Sequence, residues 1–216
     1  MAAVKGTHFN GQFEVELKYR LSSKTKFLQT LSTIPHEVLI WENIDTDWYF
    51  DTPCHSLKQE HKSLSIRETE PSGFKLWIAK GPEPERCEAT DIANAKTAKS
   101  MLKTLGYDVV LVVQKIRSIY FIGPYHVTLD YIEGLGYFSE FAIMTHNVAK
   151  FAFYKQELEA LALRFGLGNE HLEHQSYQTL IANQQSSVRC QKGATETTSS
   201  AFAMRAAEPA LLYPKP

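Results

Sequence analysis

Charged and apolar residues alternate along the segment from Phe13 to Arg20. Because successive side chains of a strand point to opposite faces, Glu14, Glu16 and Lys18 share one face and apolar residues occupy the other. The ionic face could be a solvated strand surface, or it could form a site in which carboxylates and cations act together.

A second set of charged side chains lies in segments that are otherwise strongly apolar. Its members are Arg67, Lys80, Arg86, Glu88, Lys115, Arg117, Asp130 and Glu140. Lys115 and Arg117 share a strand face, and cations that point into a protein must be paired or hold an anion. Lysine and arginine bind phosphates, while carboxylates bind the Mg²⁺ that accompanies them. The combination predicts a site for a metal-bound nucleotide or polyphosphate.

Length and composition set the wider limits. The 216 residues suit one domain, and a net charge of -1 gives no general attraction for nucleic acid or an anionic membrane, so neither is an expected partner. The sequence has no apolar run long enough to span a bilayer and no signal-peptide pattern near Met1, which favours a cytoplasmic protein. The three cysteines show no C-x-x-C spacing, which argues against a disulfide framework or a zinc site.

Strands are predicted to dominate the chain. After the first strand they run from Glu37 to Asp51, Lys62 to Glu70, Gly73 to Lys80, Arg86 to Thr90, Asp108 to Ile122, Tyr125 to Glu133 and Tyr137 to Thr145. Short turns between them indicate antiparallel neighbours. Helices are predicted from Ser23 to Leu31, Asn94 to Leu105 and Asn147 to Phe165. This α+β pattern, mainly antiparallel β, favours a closed or nearly closed barrel.

The composition changes after Gln184. Serine, threonine and proline replace any sustained apolar period, and such a stretch cannot bury enough apolar surface to offset the entropy of ordering it. We therefore predict a folded domain over residues 1–184 and a mostly flexible tail over residues 185–216.

An ordered set of segments resembles a known family. The segments are FEVELKYR from Phe13, YFDTP from Tyr49, SLSIRE from Ser63, LWIAKGPEPERCEATDI from Leu76, QKIRSIYFIGPYHVTLD from Gln114 and EGLGYFSEFAIMT from Glu133. Together they resemble the triphosphate tunnel metalloenzymes, or CYTH superfamily, and within it the bacterial class IV adenylyl cyclases. The resemblance implies an eight-stranded closed β-barrel that forms a triphosphate tunnel, with helices packed outside.

The resemblance also implies roles for the charged residues. The positions that bind Mg²⁺ or Mn²⁺ are Glu14, Glu16 and Glu140. Those that bind the substrate phosphates are Arg67, Lys80, Arg86, Lys115 and Arg117, and those implied in catalysis are Lys18, Lys115, Arg117 and Asp130. Asp130 could orient metal-bound water, the ribose hydroxyl or a neighbouring cation. For Asp130 and Arg86 an ion pair in the tunnel wall is the alternative.

One position departs from the wider superfamily. Many members carry a second acidic residue two positions after Glu140, where this chain has Ala142. The change favours the class IV branch, and it leaves open whether one metal or two are bound.

The implied reaction converts ATP to 3′,5′-cyclic AMP and pyrophosphate by metal-assisted in-line attack of the ribose 3′ oxygen on the α-phosphorus. Two alternatives stay open at this point. One is a triphosphatase that hydrolyses thiamine triphosphate or inorganic triphosphate, and the other is a module that binds triphosphate without turnover. A homodimer is also left open.

Overall fold

The computed structural model describes residues 8–184, and these form a single antiparallel sheet with helices beside it. The strands are β1 (Phe13–Leu21), β2 (Glu37–Asp51), β3 (Ser63–Glu70), β4 (Phe74–Lys80), β5 (Cys87–Asp91), β6 (Asp108–Ile122), β7 (Tyr125–Ile132) and β8 (Gly136–Thr145). They are ordered β1-β8-β7-β6-β2-β3-β4-β5 across the sheet. The predicted α+β class and the predicted strands are confirmed, with ends that move by a residue or two.

Four α-helices lie between residues 24 and 164, and a further helical segment begins at Tyr177. They are α1 (Lys24–Ser32), α2 (Ser56–Gln59), α3 (Ala95–Thr104) and α4 (Phe151–Arg164), with 3-10 turns at Val148–Lys150 and Asn169–His171. Ser23 and Asn94 cap α1 and α3, because each side chain accepts a hydrogen bond from a backbone N–H in the first turn. The three predicted helices are therefore confirmed, and the four-residue α2 was not predicted.

The prediction of a closed barrel is wrong. Strands β1 and β5 are the two edges of the sheet, and between them the structure has only an isolated bridge that pairs Phe13 with Arg86. Two backbone hydrogen bonds flank that bridge, from Glu14 N to Glu85 O at 2.7 Å and from Cys87 N to Gln12 O at 3.0 Å. No ladder continues beyond them in the part of the chain that the structure describes, so the sheet is open.

The segment that covers the outer edge of β1 explains why the sheet does not close. Farther along β1, the segment after the second 3-10 turn occupies this edge, where Leu172 bridges Tyr19 and Glu173 N donates to Lys18 O at 2.8 Å. These backbone groups of β1 are then satisfied by a segment other than β5. With only five residues, β5 is also too short to pair with all of β1.

The open sheet is nevertheless strongly curled. Lys80 Nζ on β4 lies 2.8 Å from Glu14 Oε2 on β1, although β4 and β1 stand far apart in the strand order. The curl brings together charged residues from opposite halves of the sheet.

The main hydrophobic core lies on the outer face of β1, β6, β7 and β8. The fully buried residues Val15, Val127 and Phe141 pack there against Leu158 and the rest of the apolar stripe of α4. The apolar stripe of α4 therefore faces the core. A second core cluster packs α3 against β2 and β3, on the same side of the sheet.

The described residues end with a helical segment. Residues 8–181 belong to one compact unit, and residues 177–181 of it are helical. There Tyr177, Leu180 and Ile181 pack on Val113 and Phe138. Residues 182–184, which belong to a second unit, are also helical, and the predicted tail of residues 185–216 lies outside the described residues. Within residues 8–184 we find no helix with the length and apolarity needed to cross a bilayer.

Candidate active site

The concave side of the curled sheet, called the polar face below, carries the charged residues that the sequence singles out. Period-two alternation places them there, and the strand register pairs them: Lys18 lies opposite Glu140, and Arg117 lies opposite Asp130. Cross-strand neighbours on one face have Cβ atoms about 5 Å apart, so each pair can form a direct contact.

Arg117 is the centre of a buried ionic network. Its guanidinium donates to both carboxylate oxygens of Asp130, at 2.7 and 2.5 Å, and to Glu140 Oε2 at 2.6 Å. Lys18 Nζ lies 3.8 Å from Glu140 Oε1. Although burial alone would raise the pKa of Glu140, the charges of Arg117 and Lys18 outweigh it and lower that pKa to about 2. Glu140 is thus held as an anion.

Two aspartates on β2 complete the network, and sequence analysis missed both. Asp47 accepts hydrogen bonds from Arg67 at 2.5 and 2.9 Å and from Lys115 at 2.5 Å. Asp45 lies within 4 Å of the nitrogens of three cations, namely Arg67, Lys115 and Arg117. Both aspartates are 1% exposed. Burial raises the pKa of Asp47, but Arg67 and Lys115 exceed that effect and hold it well below its usual range.

The other side of the site is built around Glu14. Its Oε2 receives Lys80 Nζ at 2.8 Å, and its Oε1 receives His126 Nε2 at 3.2 Å. Burial opposes ionisation of Glu14, but Lys80 and His126 outweigh it and keep the pKa of this carboxyl well below its ordinary value.

Glu16 differs from every other carboxylate of the polar face. Among residues 8–184 its side chain has no hydrogen bond and no ion pair. Burial and the charges of Glu140 and Glu14 raise the pKa of Glu16 to about 8. Lys80 and Lys18 act in the opposite direction, but their charges do not offset burial and the neighbouring carboxylates.

A divalent cation fits the chemistry of this part of the polar face. Glu14, Glu16 and Glu140 supply carboxylate oxygens, the ligands that Mg²⁺ and Mn²⁺ prefer. A cation beside Glu16 would offset the mutual repulsion that raises its pKa. Within residues 8–184 no three acidic, histidine or cysteine side chains already converge as a formed metal centre, so water, or nucleotide oxygens when substrate is bound, would complete the coordination.

Tyr177 contributes a group that sequence analysis did not select. Its hydroxyl donates to Asp130 Oδ2 at 2.8 Å, and its ring lies 4.4 Å from Lys18 Nζ. Asp130 therefore contacts a cation, Arg117, and a phenol. Of the orientations left open for Asp130, these contacts favour the pairing with a neighbouring cation.

Arg86 is not brought into the network. Its guanidinium pairs with Glu88 Oε2 at 3.0 Å and lies over the ring of Phe13, at the junction of β1 and β5. The structure thus favours an ion pair at the sheet edge, and a direct phosphate contact by Arg86 stays a prediction.

The comparisons with known proteins identify the family of the chain. The CYTH domain model matches residues 12–177, a span that holds every residue of the ionic network. The chain therefore belongs to the CYTH family, whose members are metal-dependent triphosphate tunnel metalloenzymes.

Three relatives show how similar this chain is to known proteins. The chain is 54% identical to the adenylate cyclase CyaB of Aeromonas hydrophila over 80% of its length and 91% of that protein. A crystal structure from Vibrio parahaemolyticus is 48% identical, with a TM-score of 0.79, and covers 80% of this chain and 99% of its own. The PH1819 protein of Pyrococcus horikoshii, 23% identical with a TM-score of 0.70, covers 80% of this chain and 99% of its own and shares the fold.

Proposed function

We propose that this protein is a class IV-type adenylyl cyclase that converts ATP to 3′,5′-cyclic AMP and pyrophosphate. The observation that carries the proposal is the ionic network of the polar face, in a chain 54% identical to an adenylate cyclase. Cations for a triphosphate and carboxylates for its metal lie side by side there. The triphosphatase alternative has no comparable support.

The cations serve the leaving group. In the proposed arrangement the β- and γ-phosphates lie among Lys80, Lys115 and Arg117, and Arg67 extends that surface. Asp45 and Asp47 hold Arg67, Lys115 and Arg117 in place before substrate arrives, so little reorganisation is needed as negative charge develops on pyrophosphate. Lys18 and Asp130 line the same face, and Asp130 orients the guanidinium of Arg117.

Glu14, Glu16 and Glu140 are the residues proposed to hold the metal, with Mg²⁺ or Mn²⁺ as the candidates. When bound, the metal supplies positive charge at the phosphate oxygens and lowers the cost of ionising the 3′ hydroxyl. Because acidic groups already neutralise the cations of the network, the protein alone offers a tetra-anionic nucleotide little net attraction. ATP binding should therefore depend strongly on the metal.

The decisive experiment identifies the products. Purified protein incubated with ATP and Mn²⁺ should release cyclic AMP and pyrophosphate in equal amounts, as resolved by chromatography. 3′-Deoxy-ATP should bind and give no pyrophosphate, because it keeps the triphosphate and lacks the attacking group. Orthophosphate from ATP, thiamine triphosphate or inorganic triphosphate without any cyclic nucleotide would reject the cyclase and favour the triphosphatase.

Replacing Glu16 tests the metal site. Glu16→Gln should lower metal-dependent kcat by at least about 100-fold, because it removes the carboxylate that has no other partner, while part of the nucleotide binding persists. Glu60→Gln, which removes an exposed carboxylate paired with Lys62 outside the polar face, is the matched control and should stay within about twofold. Equal kinetics in both variants would place the metal elsewhere.

The proposal also covers the oligomeric state of the protein and its location in the cell. A homodimer is supported by an apolar outer strip of the sheet that the described helices leave exposed, with Ile44 and Ile116 directly opposite each other and 47% and 42% exposed. Location in the cytoplasm stays a prediction of the sequence.

A further inference from the structure

Ala142 leaves a gap in the middle of the polar face. Its neighbours across the two adjoining ladders are Glu16 on β1 and His126 on β7, so the three lie in one row. Only a methyl group stands between the carboxylate and the imidazole in that row. In this chain Ala142 thus leaves space beside the imidazole of His126.

His126 reaches across this gap to a different carboxylate. Its Nε2 lies 3.2 Å from Glu14 Oε1, which places a side chain of β7 in contact with β1 over the intervening strand β8. An ionised carboxylate only accepts hydrogen bonds, so Nε2 carries the proton and donates it. A larger residue at position 142 would occupy the path that the ring takes.

The imidazole is fixed on its remaining sides. His126 is 4% exposed, and its ring lies 5.1 Å from that of Phe9. Its Nδ1 is buried and has no hydrogen-bond partner among the described residues. Burying an unsatisfied polar nitrogen costs free energy, so the contact with Glu14 is the one polar interaction that repays placing a histidine here.

We propose that His126 is a positioning residue for the metal: it passes through the gap left by Ala142 and holds Glu14 in the orientation that binds the divalent cation. Lys80 fixes one oxygen of Glu14 and His126 fixes the other, so the carboxylate is held from two sides. His126 and Ala142 thereby act as one unit, because the small side chain of Ala142 leaves the ring its path to Glu14. The inference rests on the metal role proposed for Glu14, and it holds for any reaction at this site.

The test measures metal binding by the full-length protein without nucleotide, by following free Mn²⁺ in electron paramagnetic resonance titrations. His126→Phe keeps the ring and removes the donor, and it should raise the Kd for Mn²⁺ by about 10- to 100-fold, the usual effect of losing a group that orients a metal ligand. His126→Gln places an amide N–H near the position of Nε2 and should return the Kd to within about threefold of the wild type. The thermal midpoint is recorded for every variant.

The coupling with position 142 supplies a second, independent readout. Ala142→Glu alone should lower the thermal midpoint, because the new side chain meets the ring of His126. The double variant His126→Ala with Ala142→Glu should recover that midpoint and bind Mn²⁺ more tightly than His126→Ala alone.

Three results would overturn the proposal. They are a native Kd for Mn²⁺ in His126→Phe, an equal loss in His126→Gln, and no measurable Mn²⁺ binding by the wild type. If His126→Phe does not fold, His126→Gln and the double variant decide the matter. The titrations measure metal binding and no reaction product. A failure of the cyclase assignment can therefore be distinguished from a failure of the role proposed for His126.

Discussion

At the scale of single residues, the acidic members of the site were only partly predictable. Alternation and family resemblance identified Glu14, Glu16 and Glu140, whereas Asp45 and Asp47 were overlooked. A signal was present, because the two aspartates alternate with Thr46 and Trp48 in the same way as the glutamates of β1. Their role was not readable, since the cations they hold come from β3 and β6.

Asp47 gives the first residue-scale prediction. Asp47→Asn should lower the free energy of unfolding by about 3 to 5 kcal/mol, because it leaves Lys115 and Arg67 buried without their main counter-charge. Because the same cations are proposed to bind phosphates, KM for ATP should rise as well. Urea denaturation and steady-state kinetics measure the two effects.

The control for this variant is Glu60→Gln, which removes an exposed carboxylate paired with Lys62 and should change stability by less than about 1 kcal/mol. An Asp47→Asn protein as stable as this control would show that the β2 aspartates are not needed to hold the cations.

At the scale of elements, local patterns predicted the strands and long helices and failed on closure and on α2. Period two in β1, β2 and β6 is a local property, and so are the caps Ser23 and Asn94. Closure of the sheet into a barrel depends on which segment pairs with the outer edge of β1. The segment that pairs there contains Leu172 and Glu173, and it lies about 150 residues away from β1 in the chain. Whether β5 or this segment pairs with β1 cannot be predicted from the period of apolar residues in the sequence.

The short helix α2 exists because a side chain outside it holds its first turn. Asp51, at the end of β2, accepts hydrogen bonds from the backbone N–H of Thr52 at 2.8 Å, Leu57 at 2.9 Å and Lys58 at 3.1 Å. Burial raises the pKa of Asp51, and the backbone donors exceed that effect, so the pKa is lowered overall.

This arrangement predicts a pH-dependent contribution to stability. The folded-state pKa of Asp51 lies below its unfolded value of about 3.9, so the stabilisation is complete above that pH and is lost as pH falls through the folded value. Asp51→Ala should cost about 1 kcal/mol at pH 7, as loss of a cap usually does, and less near pH 3. Urea denaturation at both values checks it, and a difference that stays constant with pH would contradict it.

At the scale of the whole molecule, the curl of the sheet creates the site. Glu14 of β1 meets Lys80 of β4 only because the sheet bends, whereas Arg67 of β3 and Lys115 of β6 share Asp47 because both strands adjoin β2. Tyr177 then closes over Lys18 from the end of the described chain. Sequence reasoning found most of the charged residues but not the contact between Glu14 and Lys80, because that contact depends on how far an open sheet bends.

The outer side of the same sheet has an apolar strip along β2 and β6. Ile44 and Ile116 lie opposite each other, and Val112 follows on the same face with 39% exposure. The cores under α1 and α4 and under α3 do not include these three residues. An exposed apolar row on paired strands suits a second copy of the chain, as the proposed homodimer requires.

Ile116→Lys should therefore convert a dimer to a monomer. A lysine at the centre of a symmetric interface places two like charges near each other and removes apolar contact, which should weaken association by at least about tenfold. Sedimentation velocity at micromolar concentration measures the change. Val148→Lys, at a 58% exposed position outside the strip, is the matched control and should leave the sedimentation coefficient unaltered. A wild-type protein that sediments as a monomer, or a dimer unaffected by Ile116→Lys, would remove this strip as the interface.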